Sequence, residues 1–180
     1  EKWVKSVETL MDTVDSVENQ GTFIHVVIPF EIVEEPAVVQ EMSELPRENL
    51  SGYRILLAED NELNREIEVF FLKDEGISVT EAEDGQQAVE LFKEKPAGTF
   101  DAILMDLMMP VMDGYTATKK IRSLEHSDAK TIPIIAMTAN AFQEDAEKCI
   151  AVGMNAHLAK PLNIEKMMTT ICHLVKKKNE

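Results

Sequence analysis

Cysteine is scarce in this chain: Cys149 and Cys172 are the only two, they form no CxxC pair, and two thiols make no disulfide framework. That usage suits a reducing compartment, so a cytoplasmic chain is expected. No apolar run approaches the roughly 18 to 20 residues that a membrane span needs. The opening stretch, EKWVKSVETL, has no secretory h-region. A soluble segment without membrane contact follows, any anchor belonging to an upstream part of a parent protein. Positive charge is also short: 18 Lys and Arg face 33 Asp and Glu, a formal net charge of -15. This argues against gripping a phosphate backbone, and nucleic acid is excluded as the main partner. What is present, 180 residues of which 44% are apolar, suffices for one substantial core and one small attachment, not for two full domains.

The acid excess is uneven. Residues 1–50 carry 11 acids and 3 bases, whereas residues 51–180 carry 22 and 15. Within the first segment, 31–51 holds Pro36, Pro46 and repeated glutamates without a sustained period, which predicts an extended acidic linker. Ahead of it, residues 2–11 can form a helix with Trp3, Val7, Leu10 and Met11 on one side. Two β-rich runs, 13–17 and 22–28, flank the turn-forming Glu18-Asn19-Gln20-Gly21 and predict a hairpin. A helix and a hairpin are too little to fold alone, so this piece needs a partner.

From residue 52 onward, short apolar runs alternate five times with amphipathic stretches. The expected strands are Arg54–Ala58, Ser78–Ala82, Ala102–Met105, Ile132–Met137 and Ala156–Ala159. The expected helices cover about 62–74, 86–95, 114–124, 141–152 and 163–176, with Gly76 and Gly153 at left-handed stop positions. Runs such as Ile55-Leu56-Leu57-Ala58 are apolar on both faces, so helices must cover both sides of the sheet. An α/β fold follows, with a doubly wound five-stranded parallel sheet beside the small N-terminal helix and hairpin.

In such a sheet the carboxyl ends of the strands form the functional edge. The first strand runs into Glu59-Asp60, the third into Asp106, the fourth into Thr138 and the fifth into Lys160. Taken alone, Asp60 or Asp106 reads first as a helix N-cap, since each precedes a turn or helix. As a set, three carboxylates at one rim call for a cation, and hard oxygen donors suit Mg2+.

ILLAEDNELNR (55–65), ILMDLMMPVMDG (103–114), AMTAN (136–140) and HLAKP (157–161) resemble, in order and spacing, the response-regulator receiver domain. EDN-x-x-NR together with HLAKP is most similar to the receivers of hybrid sensor histidine kinases. The resemblance covers about residues 52–178 and implies the flavodoxin-like strand order 2-1-3-4-5. It also implies that Asp106 is the phosphoacceptor, attacking the phosphorus of a donor phosphohistidine. Asp60, Asp106 and the Met108 backbone carbonyl would hold Mg2+, with Glu59 acting directly or through water. The Thr138 hydroxyl, the Lys160 ammonium and the Ala139 N–H would hold phosphoryl oxygens, and the Lys160-Pro161 bond would be cis. At the position where the family often has a rotating Tyr or Phe switch this chain has His157, which serves as a switch with Thr138 or as a half-exposed edge residue. Met108 and Asn140 would face the approach of hydrolytic water, and a thioether orients water poorly, so a long-lived aspartyl phosphate is expected.

Residues 7–30 resemble the end of a histidine-kinase ATP-binding domain, with Gly21-Thr22 as its last nucleotide element, although Asp12-Thr13 stand where a glycine pair is usual. The other reading of 1–30 is an unrelated hairpin. The earlier nucleotide boxes are missing, so the chain lacks a kinase core and should not bind ATP alone. His25, His126 and His173 lie in no phosphorylation sequence, which puts the donor histidine elsewhere. The expected function is phosphorelay signalling as the C-terminal part of a hybrid kinase, with a histidine kinase domain as donor and a histidine phosphotransfer protein as acceptor. The alternatives are a Mg2+-dependent phosphohydrolase, which usually needs a second acid where Met108 stands, and a docking module that never carries phosphate. Lys176–Lys178 read as cations complementing a helix end.

Overall fold

The five apolar runs pair into one parallel sheet. The computed structural model describes residues 3–4, 11–17, 21–27, 32–33, 50–139 and 143–179, with side chains over 50–139 and 147–177. The chain divides into two compact units, Glu1–Leu45 and Pro46–Glu180.

In the first unit, β1 (Trp3–Val4) pairs antiparallel with β4 (Ile32–Val33), and β2 (Met11–Val17) pairs antiparallel with β3 (Gly21–Val27). The expected hairpin is present, its first strand starting two residues earlier and its second one residue earlier, since the register runs from Met11 opposite Val27 to Val17 opposite Gly21. The expected helix over 2–11 is corrected at both ends. Trp3 and Val4 are residue types that favour a ladder, and they find one about 30 positions away, a pairing that local periodicity cannot reveal. Residues 5–10 lie outside the described residues. Within the segment expected as a linker, 31–51, Ile32–Val33 belong to a strand and Leu50 is buried in the core of the second unit. Residues 34–49 lie outside the described residues.

The second unit alternates β5 (Arg54–Ala58), α1 (Glu62–Asp74), β6 (Ser78–Ala82), α2 (Gly85–Glu94), β7 (Ala102–Asp106), α3 (Gly114–Ser123), β8 (Ile134–Thr138), α4 (Gln143–Ala151), β9 (Ala156–Ala159) and α5 (Ile164–Asn179). All pairings in this sheet are parallel and the order is β6-β5-β7-β8-β9, which is 2-1-3-4-5. Strand β8 starts two residues later than expected, because Pro133 has no N–H for the ladder; the Ile134 N–H instead donates to Asn155 Oδ1 at 2.9 Å. Alternation along β5 splits the core. Leu56 and Ala58 pack on one face with Phe92, Ala117 and Ile121, while Ile55 and Leu57 pack on the other with Leu72, Met167 and Ile171. Burying a Leu or Ile in this way stabilises by about 1.5–3 kcal/mol per side chain, so both layers hold the sheet. Helices stop where expected at Gly76 and Gly153, whose φ values of 77° and 99° suit glycine. Among the described residues no helix is long and apolar enough to cross a membrane.

Candidate functional site

The carboxyl edge of the sheet gathers the polar residues that the apolar strands exclude. Strand β5 ends at Ala58, and the next two side chains differ in burial. Glu59 is fully buried and Asp60 is exposed. Neither caps a helix. Asn61 caps α1, its Oδ1 accepting the Asn64 N–H at 3.0 Å, and Asp113 caps α3, accepting the Thr116 N–H at 2.8 Å. The capping alternative for Asp60 and Asp106 is thereby corrected: neighbouring residues satisfy the helix starts and leave both carboxylates for other work.

Asp106 closes β7 and is 6% exposed. Its Oδ2 accepts a hydrogen bond from Lys160 Nζ at 2.6 Å and its Oδ1 one from the Met108 N–H at 3.2 Å. Lys160 also donates to Glu59 Oε2, so a single ammonium bridges two carboxylates. Glu59 Oε1 accepts from Asn64 Nδ2 at 3.1 Å, and Arg65 donates to the Glu59 carbonyl at 2.9 Å. The Lys160 backbone N–H donates to the Thr138 carbonyl at 2.7 Å, which ties the end of β8 to the loop after β9, and the Lys160-Pro161 bond is cis. Thr138 is buried and Ala139 exposed beside it. Met108 is exposed, and His157 is half-buried in β9 opposite Ala136. Asn140 lies outside the described residues.

Electrostatics follow from this burial. Removal from water pushes the Glu59 carboxyl above the usual carboxylate range, against the pull of Lys160 and Asn64. Burial alone would lower the Lys160 ammonium, but its hydrogen bonds to Asp106 and Glu59 outweigh that and hold it above its ordinary value. Glu59, Asp60 and Asp106 each offer a carboxylate oxygen, all within 4.8 Å of one another. Three hard anionic donors against one lysine leave a local excess of negative charge, and the donor set fits a small divalent cation such as Mg2+.

Sequence reasoning left several contributors unassigned. Asn64 and Arg65 fall on the turn of α1 that faces Glu59, a placement readable from the helical spacing after residue 61. A Cβ on Gly114 would lie 2.2 Å from the Asp106 carbonyl oxygen, so only glycine lets α3 start this close to the end of β7. Val111, in the loop between them, has φ 63°, a strained value for a β-branched residue.

A family model described as the response regulator receiver domain matches residues 55–172. The chain belongs to that family. It is 38% identical to Histidine kinase 1 of Arabidopsis thaliana over an alignment covering 72% of this chain and 13% of that protein. The receiver domain of a sensor histidine kinase from Pseudomonas aeruginosa is 40% identical, with a TM-score of 0.63 over 70% of this chain and 99% of that one. That structure has a magnesium ion coordinated in its active site cleft. A Saccharomyces cerevisiae complex of a histidine phosphotransfer signaling protein with the receiver domain of its downstream response regulator matches at 31% identity and a TM-score of 0.62, over 70% of this chain and 90% of that one. The receiver is thus of the two-component phosphorelay type found in hybrid histidine kinases, and the chain spans only a small part of such relatives.

Proposed function

We propose that the receiver accepts a phosphoryl group on Asp106 from a phosphohistidine. An Asp106 carboxylate oxygen forms the new bond to phosphorus as the bond from phosphorus to the donor imidazole nitrogen breaks. The observation that carries this reading is the Lys160 ammonium 2.6 Å from Asp106 Oδ2, beside two further carboxylates at one strand edge. In a loose transition state the charge sits on peripheral oxygens, so positioned cations and N–H donors supply most of the acceleration. Lys160, the Thr138 hydroxyl and the Ala139 N–H take that role. Asp60, Asp106 and the Met108 carbonyl would hold Mg2+, with Glu59 direct or through water, and the bound ion would supply the charge neutralisation that lets one anion approach another.

The donor is a histidine kinase domain and the acceptor a histidine phosphotransfer protein, in a cytoplasmic relay. Support for such a partner comes from the apolar rim around the site. Leu63, Ile67 and Phe70 on α1 are exposed at helical spacing, and Met108 and Val111 are exposed in the loop after Asp106. A rim of this kind suits the face of a helical bundle. The reading of residues 1–30 as the close of a kinase ATP-binding domain belongs to the same proposal and is supported by the hairpin whose second strand opens at Gly21. The test is intact mass after incubation with acetyl phosphate and Mg2+. One phosphoryl adduct, absent from Asp106→Asn and restored to nothing by added metal in that variant, is the expected result; an adduct that survives Asp106→Asn refutes the assignment.

A further inference from the structure

The receiver keeps its methionines in the core, with one exception. Of the 10 methionines in the chain, Met11 and Met42 lie outside the residues whose side chains are described. Among the rest, Met108 is 76% exposed and every other is 8% exposed or less. A thioether left in water gains nothing from burial and is open to reagents that the core excludes. Met108 also stands two residues after Asp106, and its backbone N–H donates to Asp106 Oδ1 at 3.2 Å. The exposed sulfur is therefore carried by a residue whose main chain already touches the acceptor carboxylate.

The chemistry open to such a sulfur is two-electron oxidation by a hydroperoxide. The sulfur lone pair takes one peroxide oxygen as the O–O bond breaks, and the departing hydroxide takes up the proton of the transferred group and leaves as water. Sulfur is oxidised by two electrons and the peroxide is reduced by two. Thiols are the usual competitors, but Cys149 is buried, and burial pushes the Cys172 thiol above its ordinary value, which leaves little thiolate to react. Oxidation exchanges a weak hydrogen-bond acceptor for a polar sulfoxide oxygen, and it leaves the Met108 carbonyl chemically unchanged.

We propose that Met108 is an oxidation site, and that the sulfoxide shortens the life of a phosphoryl group on Asp106. The inference rests on the phosphoacceptor reading. From its position beside Asp106 the side chain is long enough for the sulfoxide oxygen to hold one water against the phosphorus. Attack by that water breaks the bond between phosphorus and the Asp106 oxygen, passes a proton to the departing phosphate and restores the carboxylate. Because a reductase returns the sulfoxide to the thioether, the modification is a reversible control.

The test treats the full chain with hydrogen peroxide, removes the oxidant with catalase and maps the oxidised peptides by mass. The chain is then loaded with acetyl phosphate and Mg2+, desalted and followed by intact mass. Met108 should gain one oxygen at least about tenfold faster than the buried methionines. The treated chain should lose its phosphoryl group at least about threefold faster than the untreated chain, and methionine sulfoxide reductase with dithiothreitol should restore the slower decay. In Met108→Leu, peroxide should leave that variant's own decay rate where it was, which assigns the effect to this sulfur and not to Met11 or Met42. Overturning results are a Met108 that reacts no faster than the buried methionines, equal decay of the adduct in treated and untreated chain, or the same acceleration in Met108→Leu. An untreated chain that takes up no phosphoryl group refutes the phosphoacceptor reading and this inference with it, whereas equal decay of an adduct that does form refutes this inference alone.

Discussion

Replacing Glu68 with Gln should remove a pH dependence of stability that the parent chain carries. The carboxyl has an ordinary value of 4.5 when solvated and is pushed up to about 8 in the fold, by burial first and then by the charge of Glu59. Its folded value is raised, so between those limits the unfolded chain has released a proton that the folded chain still holds. Stability therefore falls as pH rises through this window, by up to about 1.4 kcal/mol per pH unit. The ceiling over the whole window is roughly 5 kcal/mol. Water entering the adjoining cavity relaxes the buried charge, and we expect about 2–3 kcal/mol to be realised near pH 9. An amide of the same shape has no proton to lose. The two proteins should be of similar stability near pH 5, and the variant should be the more stable by about 2–3 kcal/mol near pH 9.

Urea unfolding followed by far-UV circular dichroism, with a chelator present, reads this difference directly, because the described helices all lie in the receiver unit. Glu59, whose carboxyl burial also raises, contributes with the same sign in both proteins and cancels. Parallel decline of the two midpoints with pH would refute the reasoning, and so would a variant that is less stable at every pH.

Lys160→Met leaves the Glu59 and Asp106 carboxylates in their sites without the ammonium that bridges them. The expected loss is about 3 kcal/mol without added metal, shrinking when Mg2+ is supplied, as read by urea midpoints in the two conditions. Arg122→Lys should cost about 2 kcal/mol by thermal melting, because the half-buried guanidinium donates to the Gly153 carbonyl, the Ala129 carbonyl and Asn155 Oδ1 at 2.8–3.0 Å, and an ammonium cannot span that fork. Val111→Gly should stabilise by about 1 kcal/mol by relieving the positive φ, and a drop in melting temperature would count against strain there. Met108→Asn should shorten the lifetime of the aspartyl phosphate in a phosphate-release assay, since an amide beside the acceptor can orient water and a thioether cannot; equal decay rates reject the idea.

The receiver's architecture was legible because its strands are buried on both faces. Runs such as Ile103-Leu104-Met105 are wholly apolar, and that pattern admits only a covered parallel sheet. Element ends were legible where a single residue dictates them, as Gly76 and Gly153 do, and displaced where the signal was negative, as at Pro133. The first unit was read less well. Its strands Trp3–Val4 and Ile32–Val33 are two residues long, carry no period, and acquire their structure from each other. Glu68 was missed for a different reason. It stands four residues before Leu72 and one before Val69, on the apolar stripe of α1, so its position spoke for burial while its charge spoke for solvent. Such a conflict between pattern and residue type is the place to look for a function.

The same conflict explains the acid pair at the end of β5. Where a strand ends, alternation sends one side chain in and the next out, so Glu59 is sealed beneath the edge and Asp60 stands in solvent. A helix begins immediately afterwards and needs a cap, and Asn61 supplies it without charge. Had Asp60 been the cap, its carboxylate would have been turned toward the α1 N–H groups and away from Asp106. The order acid, acid, amide therefore gives three residues three settings: a buried carboxylate for Lys160, an exposed one that would face a cation, and a neutral start for the helix that carries Asn64 back to Glu59. Exchanging residues 60 and 61 would keep the composition and lose the convergence, which is why the spacing of this motif, more than its charge, identifies the site.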